Sequence, residues 1–325
     1  MEPVVVALAG GLGNQLFQFA AGLAVSAATG REARLCLRAF DRPAARRLFV
    51  ALRSAVRSVG ADPDGRFRLQ AMERGLELLA IQRAAPASGR DEDAARGLGR
   101  SSLKAARRGA RDIPGTSPLR AADDVLAVAM GHATIDPEVV PLLLGDMQDD
   151  RIVTLALPQL RGALRLPTES ARCRRWLGEI RARPTVGVHV RRGDYRKRAF
   201  RGVFPLLDAG WYGRAAELLR ERHGPDLRFA VFTDEPAWVR RNLRLPGELL
   251  VVSGDGPPVA TEDLSLLSAC SHHVIANSTF SWWAARLATG AGDVVAPTRW
   301  LMSRDTDPNL LPAGWIRLEN EVRRD

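Results

Sequence analysis

The amino-acid sequence predicts an α/β protein of two domains, the second with a mostly parallel sheet covered by helices on both faces. Short apolar segments alternate with helical patterns, most regularly from Thr185 onward. The chain of 325 residues is longer than one ordinary domain of about 100 to 200 residues. The pattern is interrupted near Pro167 and Thr168, which predicts domains 1–168 and 169–325.

A glycine-rich turn follows the first predicted strand. The apolar residues 3–9 predict this strand, and residues 14–28 have a helical pattern. Between them lie Gly10, Gly11 and Gly13, which permit positive φ and a close approach of a ligand to the backbone. The first amides of the helix would favour an anion, and a tight turn without a ligand is the alternative.

The spacing of this turn does not predict a dinucleotide site. The sequence GGLGNQ departs from the GxGxxG pattern, and no acidic partner for a ribose follows on the second strand, which we expect at 33–37. Asn14 and Gln15 stand at the start of the predicted helix, where they either cap the helix or contact a sugar hydroxyl. The residue types alone leave both roles open.

Residues 46–117 show a weaker pattern. Helical periodicity is present at 48–59 and 71–82, and a low-complexity run of Ala, Gly and Arg follows. We expect a mobile basic segment at about 84–117, which is either a solvated insertion or a docking patch for an anionic membrane surface or a lipid-linked saccharide. Asp91 and Asp93 form a D-x-D pattern, but they do not follow a strand, so no metal site is predicted.

From residue 185 onward, strands and helices alternate regularly. The predicted strands are 185–190, 228–233, 249–253, 273–276 and 293–296. The predicted helices are 210–223, 236–243, 261–271 and 280–289. Strands that alternate with helices in this way form parallel sheets. The carboxyl ends of the strands then share one edge of the sheet, where open α/β folds bind ligands.

The strand predicted at 185–190 ends in two adjacent arginines. Arg191 and Arg192 are followed by Gly193 and Asp194. Arginine presents a planar fork of donors that matches a phosphate group. The pair therefore predicts a phosphate site at the mouth of the sheet, and a salt-bridged strand end without a ligand is the alternative.

Two further polar strand ends support this prediction. Asp234 and Glu235 close the next strand, and Asn277, Ser278 and Thr279 stand between a strand and a helix. Small hydroxyl residues cap a helix, and its free amides and dipole form a cradle for phosphate, although a plain cap is the alternative. We expect the two tryptophans in this helix to pack in the core. The three strand ends converge on one crevice if they belong to one sheet.

Composition and charge limit the class of protein. The formal net charge is +10, so the surface attracts anions, but the arginines are scattered among alanines and do not predict nucleic acid as the partner. Cys36, Cys173 and Cys270 are far apart, which predicts neither a disulfide framework nor a zinc site. The N-terminus lacks a signal-peptide pattern, and no apolar run is long enough for a transmembrane segment. We therefore expect a cytoplasmic protein, either free or peripheral on the cytoplasmic membrane face.

Four motifs resemble those of glycosyltransferase family 11, the α-1,2-fucosyltransferases or galactoside 2-α-L-fucosyltransferases. They are GGLGNQLFQFA at 10–20, HVRRGDY at 189–195, FTDEPAW at 232–238, and a block that runs from DLSLL at 263 to APTRW at 300. The resemblance implies a GT-B fold, in which two Rossmann-like domains face a central cleft. It also implies an inverting, metal-independent transfer of L-fucose from GDP-fucose to the 2-hydroxyl of a terminal galactose in a glycan, without a cofactor.

The resemblance assigns roles to the polar residues. Arg192 or Arg191 would stabilise the departing phosphate, and Asp194 would be either the base or a partner that orients an arginine. His189 and Asp263 would lie near the guanine. The other donor-side residues are Asp234, Asn277, Ser278 and Thr279. The acceptor-side residues are Gly11, Gly13, Asn14 and Gln15.

Two departures from the family pattern lie in the half that is expected to meet the acceptor. Phe19 stands where the family usually has tyrosine, and GDMQ at 145–148 resembles a degenerate form of the family's GYFQ. Both departures bear on the choice of acceptor. The alternatives are a fucosyltransferase of another linkage and a basic nucleic-acid or membrane-surface binder without transferase activity. The latter predicts retention on DNA that falls steeply with salt.

Overall fold

The computed structural model describes residues 1–36, 116–198, 200, 202–256, 259–290 and 292–320. The contacts divide the chain into two compact units, Met1–Arg165 and Leu166–Asp325. The basic segment predicted at 84–117 and the D-x-D pattern lie outside the described residues, apart from Thr116 and Ser117. These two residues begin a strand.

In the described part of the first unit, four strands form a parallel sheet in the order β2-β1-β4-β3. The strands are β1 (Val4–Ala7), β2 (Ala33–Cys36), β3 (Thr116–Leu119) and β4 (Val140–Leu143). The helices are α1 (Leu12–Thr29), α2 (Ala122–Ala129) and α3 (Asp150–Ala163). Strand β1 is central and pairs with β2 on one side and with β4 on the other, where Val5 lies opposite Leu142. The glycine turn after β1 therefore lies next to the segment that follows β4.

Helix α1 forms the core of the first unit with β1. Leu16, Phe17 and Ala20 on this helix are fully buried. A Cβ on Gly22 would lie 2.4 Å from the Cγ2 of Val6, so the glycine allows the helix to approach the strand closely. The helix ends at Gly30, whose φ of +67° closes a left-handed cap.

The second unit is built on a parallel sheet of six strands in the order β10-β9-β8-β5-β6-β7. The strands are β5 (Thr185–Val190), β6 (Arg228–Thr233), β7 (Leu249–Val251), β8 (His272–Val274), β9 (Val294–Pro297) and β10 (Ile316–Leu318). The helices are α4 (Ala171–Ala182), α5 (Ala209–His223), α6 (Pro236–Asn242), α7 (Ala260–Ser268) and α8 (Thr279–Leu287). The prediction of an α/β protein with parallel sheets is confirmed.

Both faces of β5 are covered by helices. Val186, Val188 and Val190 share one core cluster with Trp211 of α5. On the other face, a Cβ on Gly187 would lie 2.5 Å from the Cδ1 of Leu267, so the glycine makes room for α7. Because β5 is buried on both faces, only its carboxyl end is open to a ligand.

The element bounds agree with the sequence pattern to within a few residues. Strands β5 and β6 have the predicted bounds. Helix α7 ends at Ser268 instead of residue 271, and β8 begins at His272 instead of 273. The described elements that the pattern did not predict are α2, α3, α4, β3, β4 and β10.

No helix in the described parts of the chain has both the length and the apolar character needed to cross a bilayer.

Candidate functional site

The carboxyl edge of the second sheet brings three polar strand ends together. Strand β5 pairs with β6 on one side and with β8 on the other, all in parallel. The arginine pair after β5, the two acids after β6 and the Asn-Ser-Thr segment after β8 therefore lie side by side. The sequence predicted this convergence, and the observed strand order provides it.

The carboxylate of Asp234 fixes the backbone that carries the arginines. Its Oδ1 accepts a hydrogen bond from the amide of Arg192 at 2.9 Å, and its Oδ2 accepts one from the amide of Gly193 at 3.1 Å. The same Oδ2 lies 3.0 Å from Nη1 of Arg191. A Cβ on Gly193 would lie 3.0 Å from this oxygen, so a side chain here would crowd the carboxylate. In this structure Asp234 thus orients the arginine turn.

Arg191 is held between two carboxylates. Besides its contact with Asp234, its Nη2 donates to Oδ2 of Asp194 at 2.7 Å. Asp194 also contacts the ammonium group of Lys197. The guanidinium group of Arg191 lies 5.8 Å from the ring centroid of Tyr195, and 27% of its side chain is exposed. Arg191 is therefore a fixed cation whose charge is largely matched by its neighbours.

Arg192 has fewer anionic contacts. Its guanidinium carbon lies 3.8 Å from the ring centroid of Trp238, a distance at which a cation is attracted by the ring. Its Nε lies 3.5 Å from Oε2 of Glu235 and makes no hydrogen bond among the described residues. Its Nη1 is 3.4 Å from the carbonyl oxygen of Leu207. The tryptophan and the weak polar contacts hold the guanidinium group in place and leave it able to bind an anion.

The segment after β8 is held mainly by Asn277. Its buried side-chain amide donates to the carbonyl oxygens of Pro205 at 3.2 Å and of Trp300 at 3.1 Å. Its own carbonyl accepts a hydrogen bond of 2.7 Å from the hydroxyl of Tyr195. Asn277 was predicted as a donor-binding residue, and in this structure its amide joins three loops.

Ser278 stands at the N-cap of α8, and Thr279 is the first residue of the helix. The side chain of Ser278 makes no capping hydrogen bond, and its amide donates to the carbonyl of Ala276 at 2.7 Å. The two tryptophans of α8 are fully buried, as predicted. The start of α8 remains beside the arginine turn.

His189 is the buried polar residue at the end of β5. Only 6% of its surface is exposed, and its ring lies 5.3 Å from the ring of Phe280. Burial and the nearby charge of Arg191 lower the pKa of His189 to about 3, so the imidazole is neutral near pH 7. Its Nδ1 has no hydrogen-bond partner in the part of the chain that the structure describes. A neutral imidazole in this state can bind a polar ligand atom.

Asp263, in the first turn of α7, is paired with an arginine. Its Oδ1 lies 2.6 Å from Nη2 of Arg172, which also contacts Glu262 at 3.1 Å and the carbonyl oxygen of Asp255 at 3.1 Å. Burial raises the pKa of the Asp263 carboxyl, and Arg172 partly offsets this effect. A guanine that binds Asp263 would have to share the carboxylate with Arg172.

The glycine turn of the first unit is closed by amide side chains. Gly10 has a φ of +79°, and Nε2 of the buried Gln15 donates to its carbonyl oxygen at 2.8 Å. The helix begins after Gly11, so Asn14 lies inside its first turn and is not the N-cap. The Oδ1 of Asn14 accepts a hydrogen bond of 3.3 Å from Nε2 of Gln148. Gly13 lies buried in the same turn, between Gly11 and Asn14.

Gln18 joins this turn to the GDMQ segment. Its Oε1 accepts a hydrogen bond of 2.8 Å from the amide of Ala9, and its Nε2 lies 3.4 Å from the carbonyl oxygen of Gly145. A Cβ on Gly145 would lie 2.1 Å from the carbonyl oxygen of Arg120. The segment that carries the degenerate motif is therefore packed tightly against the backbone after β3 and is joined to α1 through Gln18.

Sequence reasoning missed four residues of these two edges. Trp238, Tyr195 and Arg172 each contact a predicted site residue, and Gln18 binds the backbone of Ala9, just before the glycine turn, and of Gly145. Trp238 lies in the motif FTDEPAW and Tyr195 lies in HVRRGDY, so their membership of these motifs could have pointed to a role at the site. Arg172 lies in a helix that the pattern did not predict, so no comparable signal pointed to it.

Within the described ranges, no three His, Cys, Asp or Glu side chains are grouped so that they could hold a metal ion. Cys173 and Cys270 are buried free thiols, and burial raises the pKa of both.

Similar solved structures include fucosyltransferases. The structure of NodZ from Bradyrhizobium matches with a TM-score of 0.46 and 15% identity, over 89% of this chain and 93% of that one. The structure of Arabidopsis thaliana FUT1 in complex with GDP matches with a TM-score of 0.46 and 15% identity, over 90% of this chain and 70% of that one. Similarities of this size support no conclusion about function, and the placement of the two units around a cleft stays a prediction.

Curated relatives are named as transferases. The galactoside 2-alpha-L-fucosyltransferase SEC1 of Bos taurus is 41% identical over 110 residues, which are 33% of this chain and 29% of that protein. The O-antigen biosynthesis glycosyltransferase WbnK of Escherichia coli is 31% identical over 139 residues, 41% of this chain and 44% of that protein. An alpha-1,2-colitosyltransferase of Escherichia coli is 33% identical over 150 residues, 43% of this chain and 49% of that protein. The chain thus spans less than half the length of the curated relatives it matches.

A protein-family comparison covers the second unit. Residues 163–319 match the family described as glycosyl transferase family 11. The match begins three residues before the second unit and includes the arginine turn, Asp234, Asp263 and the start of α8. The resemblance found in the sequence is confirmed, and the second unit of this chain is a glycosyl transferase family 11 domain.

Proposed function

We propose that this protein transfers L-fucose from GDP-fucose to the 2-hydroxyl of a galactose in a glycan, with inversion and without a metal ion. The relatives with this activity in their names support the reaction class. The observation that carries the proposal is the arginine turn at the end of β5, fixed by three contacts to the carboxylate of Asp234. The turn lies beside a helix start at the edge of the sheet where α/β folds bind nucleotides.

The arginines would stabilise the leaving group. As the bond from fucose to the phosphate breaks, negative charge grows on the β-phosphate of GDP. A cation that is already in place stabilises this charge without reorganisation, and a guanidinium group can do so through two parallel hydrogen bonds. In this proposal the arginines supply the charge that a divalent cation supplies in other transferases.

We assign the main role to Arg192. The charge of Arg191 is matched by Asp234 at 3.0 Å and by Asp194 at 2.7 Å. Arg192 rests on the ring of Trp238 and, among the described residues, has one carboxylate contact, at 3.5 Å. A phosphate would therefore meet less competition at Arg192, with Arg191 as a second, more tightly held donor.

Asp194 suits an orienting role better than that of the base. Its two oxygens contact Arg191 and Lys197, so both are engaged by cations in this structure. The test is the pH dependence of turnover in Asp194→Asn, with GDP binding measured separately. We expect lower turnover with an unchanged pH profile. If the variant binds GDP normally but its rate no longer rises with pH on the acidic side of the profile, Asp194 is the base.

The guanine is expected between His189 and Asp263. The neutral imidazole of His189 has a polar atom without a partner among the described residues. Asp263 would accept from the N–H groups of the base while it keeps one contact with Arg172. Asp234, Asn277, Ser278 and Thr279 complete the donor side, the first two as residues that hold the loops and the last two through the start of α8.

The acceptor side is assigned to the glycine turn of the first unit. Gly11 and Gly13 would let the sugar approach the backbone, and Asn14 is the polar side chain best placed to contact it. Gln15 is buried and its side-chain amide donates to the carbonyl oxygen of Gly10, so its role would be to hold the conformation of the turn. The cytoplasmic location and any peripheral contact with the membrane remain predictions from the sequence.

A second candidate concerns the donor sugar. One relative of similar identity is named an alpha-1,2-colitosyltransferase, and the phosphate and guanine contacts proposed here do not distinguish the two sugars. Transfer of colitose to the same hydroxyl is therefore the alternative to transfer of fucose.

One assay tests these proposals together. Purified protein is incubated with lactose and either GDP-fucose or the GDP-linked colitosyl donor, each with and without a chelator, and the linkage of the product is determined by NMR. We expect an α-1,2-fucosylated product in the presence of the chelator. Transfer of colitose alone would select the second candidate, and loss of activity with the chelator would remove the metal-independent mechanism. Absence of transfer from both donors, with salt-dependent retention on DNA, would favour the basic binding protein.

A further inference from the structure

The loop at residues 196–206, of which the structure describes all residues except 199 and 201, exposes an unusual number of apolar side chains. Six large hydrophobic residues are strongly exposed in the described parts of the chain, and three of them lie in this loop. Phe200, Val203 and Leu206 are each 40% exposed. They are spaced three residues apart and together give this edge of the second unit an apolar patch.

The apolar side chains are accompanied by cations. Arg196, Lys197 and Arg198 are exposed at the start of the loop, and residues 196–206 include no aspartate or glutamate. Arg196 contacts Glu235, and Lys197 contacts Asp194, but more than half of each side chain is open to solvent. The loop therefore combines apolar and positive groups without an internal carboxylate.

The loop is anchored to the rest of the unit. The ring of Phe204 stacks on Tyr195 with centroids 4.3 Å apart. The carbonyl of Val203 accepts a hydrogen bond of 2.9 Å from the amide of Met302, and that of Pro205 accepts one from Asn277. These contacts hold the backbone between the three partly exposed apolar side chains.

We propose that the loop at 196–206 docks the protein on an anionic lipid bilayer. Apolar side chains flanked by Lys and Arg are the combination that binds the interface of a membrane, because the apolar groups enter the acyl boundary and the cations meet anionic head groups. The net charge of +10 favours the same surface. The loop lies beside the arginine turn, so docking would bring the carboxyl edge of the second sheet to the membrane.

This proposal does not depend on the transferase activity. It also differs from docking through the basic segment at 84–117, because it requires the apolar side chains as well as the charge. Binding through charge alone would be lost at moderate salt, whereas partitioning of apolar groups persists.

The test is co-sedimentation of the full chain with vesicles. We would use phosphatidylcholine vesicles with and without phosphatidylglycerol, at low and at physiological salt. The test variant is Phe200→Ser combined with Val203→Ser and Leu206→Ser. The matched control replaces two apolar residues of similar exposure in the first unit, Met130→Ser with Leu155→Ser. Thermal unfolding confirms that each variant is folded.

We expect the triple variant to bind anionic vesicles on the order of tenfold more weakly than the unchanged chain, since affinity scales with the apolar area buried. The control should bind as the unchanged chain does. Replacement of one loop cation, Arg198→Gln, should weaken binding roughly fivefold, whereas Arg181→Gln on the opposite edge of the unit should not. Equal binding by the triple variant and the unchanged chain, or no binding of the unchanged chain to anionic vesicles, would overturn the proposal.

Discussion

Replacement of Asp234 by asparagine tests whether the carboxylate positions the arginine turn. One amide oxygen can keep the hydrogen bond to the amide of Arg192. The amide nitrogen then faces the N–H of Gly193 and the Nη1 of Arg191, which are both donors. Either orientation of the amide group therefore breaks at least one backbone contact.

The expected losses follow from these contacts. A hydrogen bond to a charged group contributes about 1.5 to 3 kcal/mol, so losing the Gly193 contact and weakening the Arg191 pair should destabilise the unit by roughly 2 to 4 kcal/mol. A shift of the arginines by about 1 Å should lower turnover by about 10²-fold. Denaturant unfolding measures the first effect, and initial rates with GDP-fucose and lactose measure the second.

Asp293→Asn is the matched control. Asp293 also pairs with an arginine, Arg222 at 2.6 Å, but it precedes β9 and lies at the opposite edge of the sheet. This variant should lose stability without a specific loss of turnover. A folded Asp234→Asn protein with turnover within about twofold of the unchanged protein would refute the positioning role, as would an equal loss of turnover in both variants.

Three further changes have defined outcomes. Arg192→Lys keeps the charge but loses the planar fork, so turnover should fall by about 10² to 10³, and near-normal rates in this variant and in Arg191→Lys would contradict the assignment. His273 is buried and its pKa is lowered to about 4, so the free energy of unfolding should fall by about 3 kcal/mol as the pH falls from about 6.5 to about 4. Urea unfolding at each pH should show a smaller loss in His273→Gln, and an unchanged pH dependence in that variant would contradict the prediction. Gly145→Ala places a Cβ 2.1 Å from a backbone oxygen and should destabilise the first unit by about 1 to 3 kcal/mol, as measured by urea unfolding. The control is Gly162→Ala in α3, which has nothing within 4 Å of the new Cβ and should be neutral or stabilising in that assay.

The strand that carries the site could be predicted from local sequence. The valines of β5 alternate along a buried strand, and the adjacent arginines and Gly193 mark its end, so the bounds at Thr185–Val190 and the polar edge both followed from neighbouring residues. The side-by-side strand ends also followed from the alternation of strands and helices, because parallel strands share their carboxyl edge.

The partners of the polar residues could not be predicted in the same way. Asp263 is an acid near a helix start by sequence, and its pairing with Arg172 depends on a helix 91 residues away. Ser278 has the residue type of an N-cap, yet its hydroxyl makes no capping bond. Short elements such as β10, with three residues, are too brief to show a period. Tertiary contacts decided these features, and no local pattern records them.

The junction at Asn277 has a consequence for how this part of the molecule can diverge. Its amide recognises the main-chain oxygens of Pro205 and Trp300, and Tyr195 recognises the main-chain oxygen of Asn277 itself. Every residue type offers that oxygen, so the hydrogen bonds of Asn277 depend on the paths of the two flanking loops and not on the residue types at 205 and 300. Side chains of these loops that make no other contact can therefore vary without loss of the junction, and loop grafting at these positions is a practical way to alter the surface beside the arginine turn.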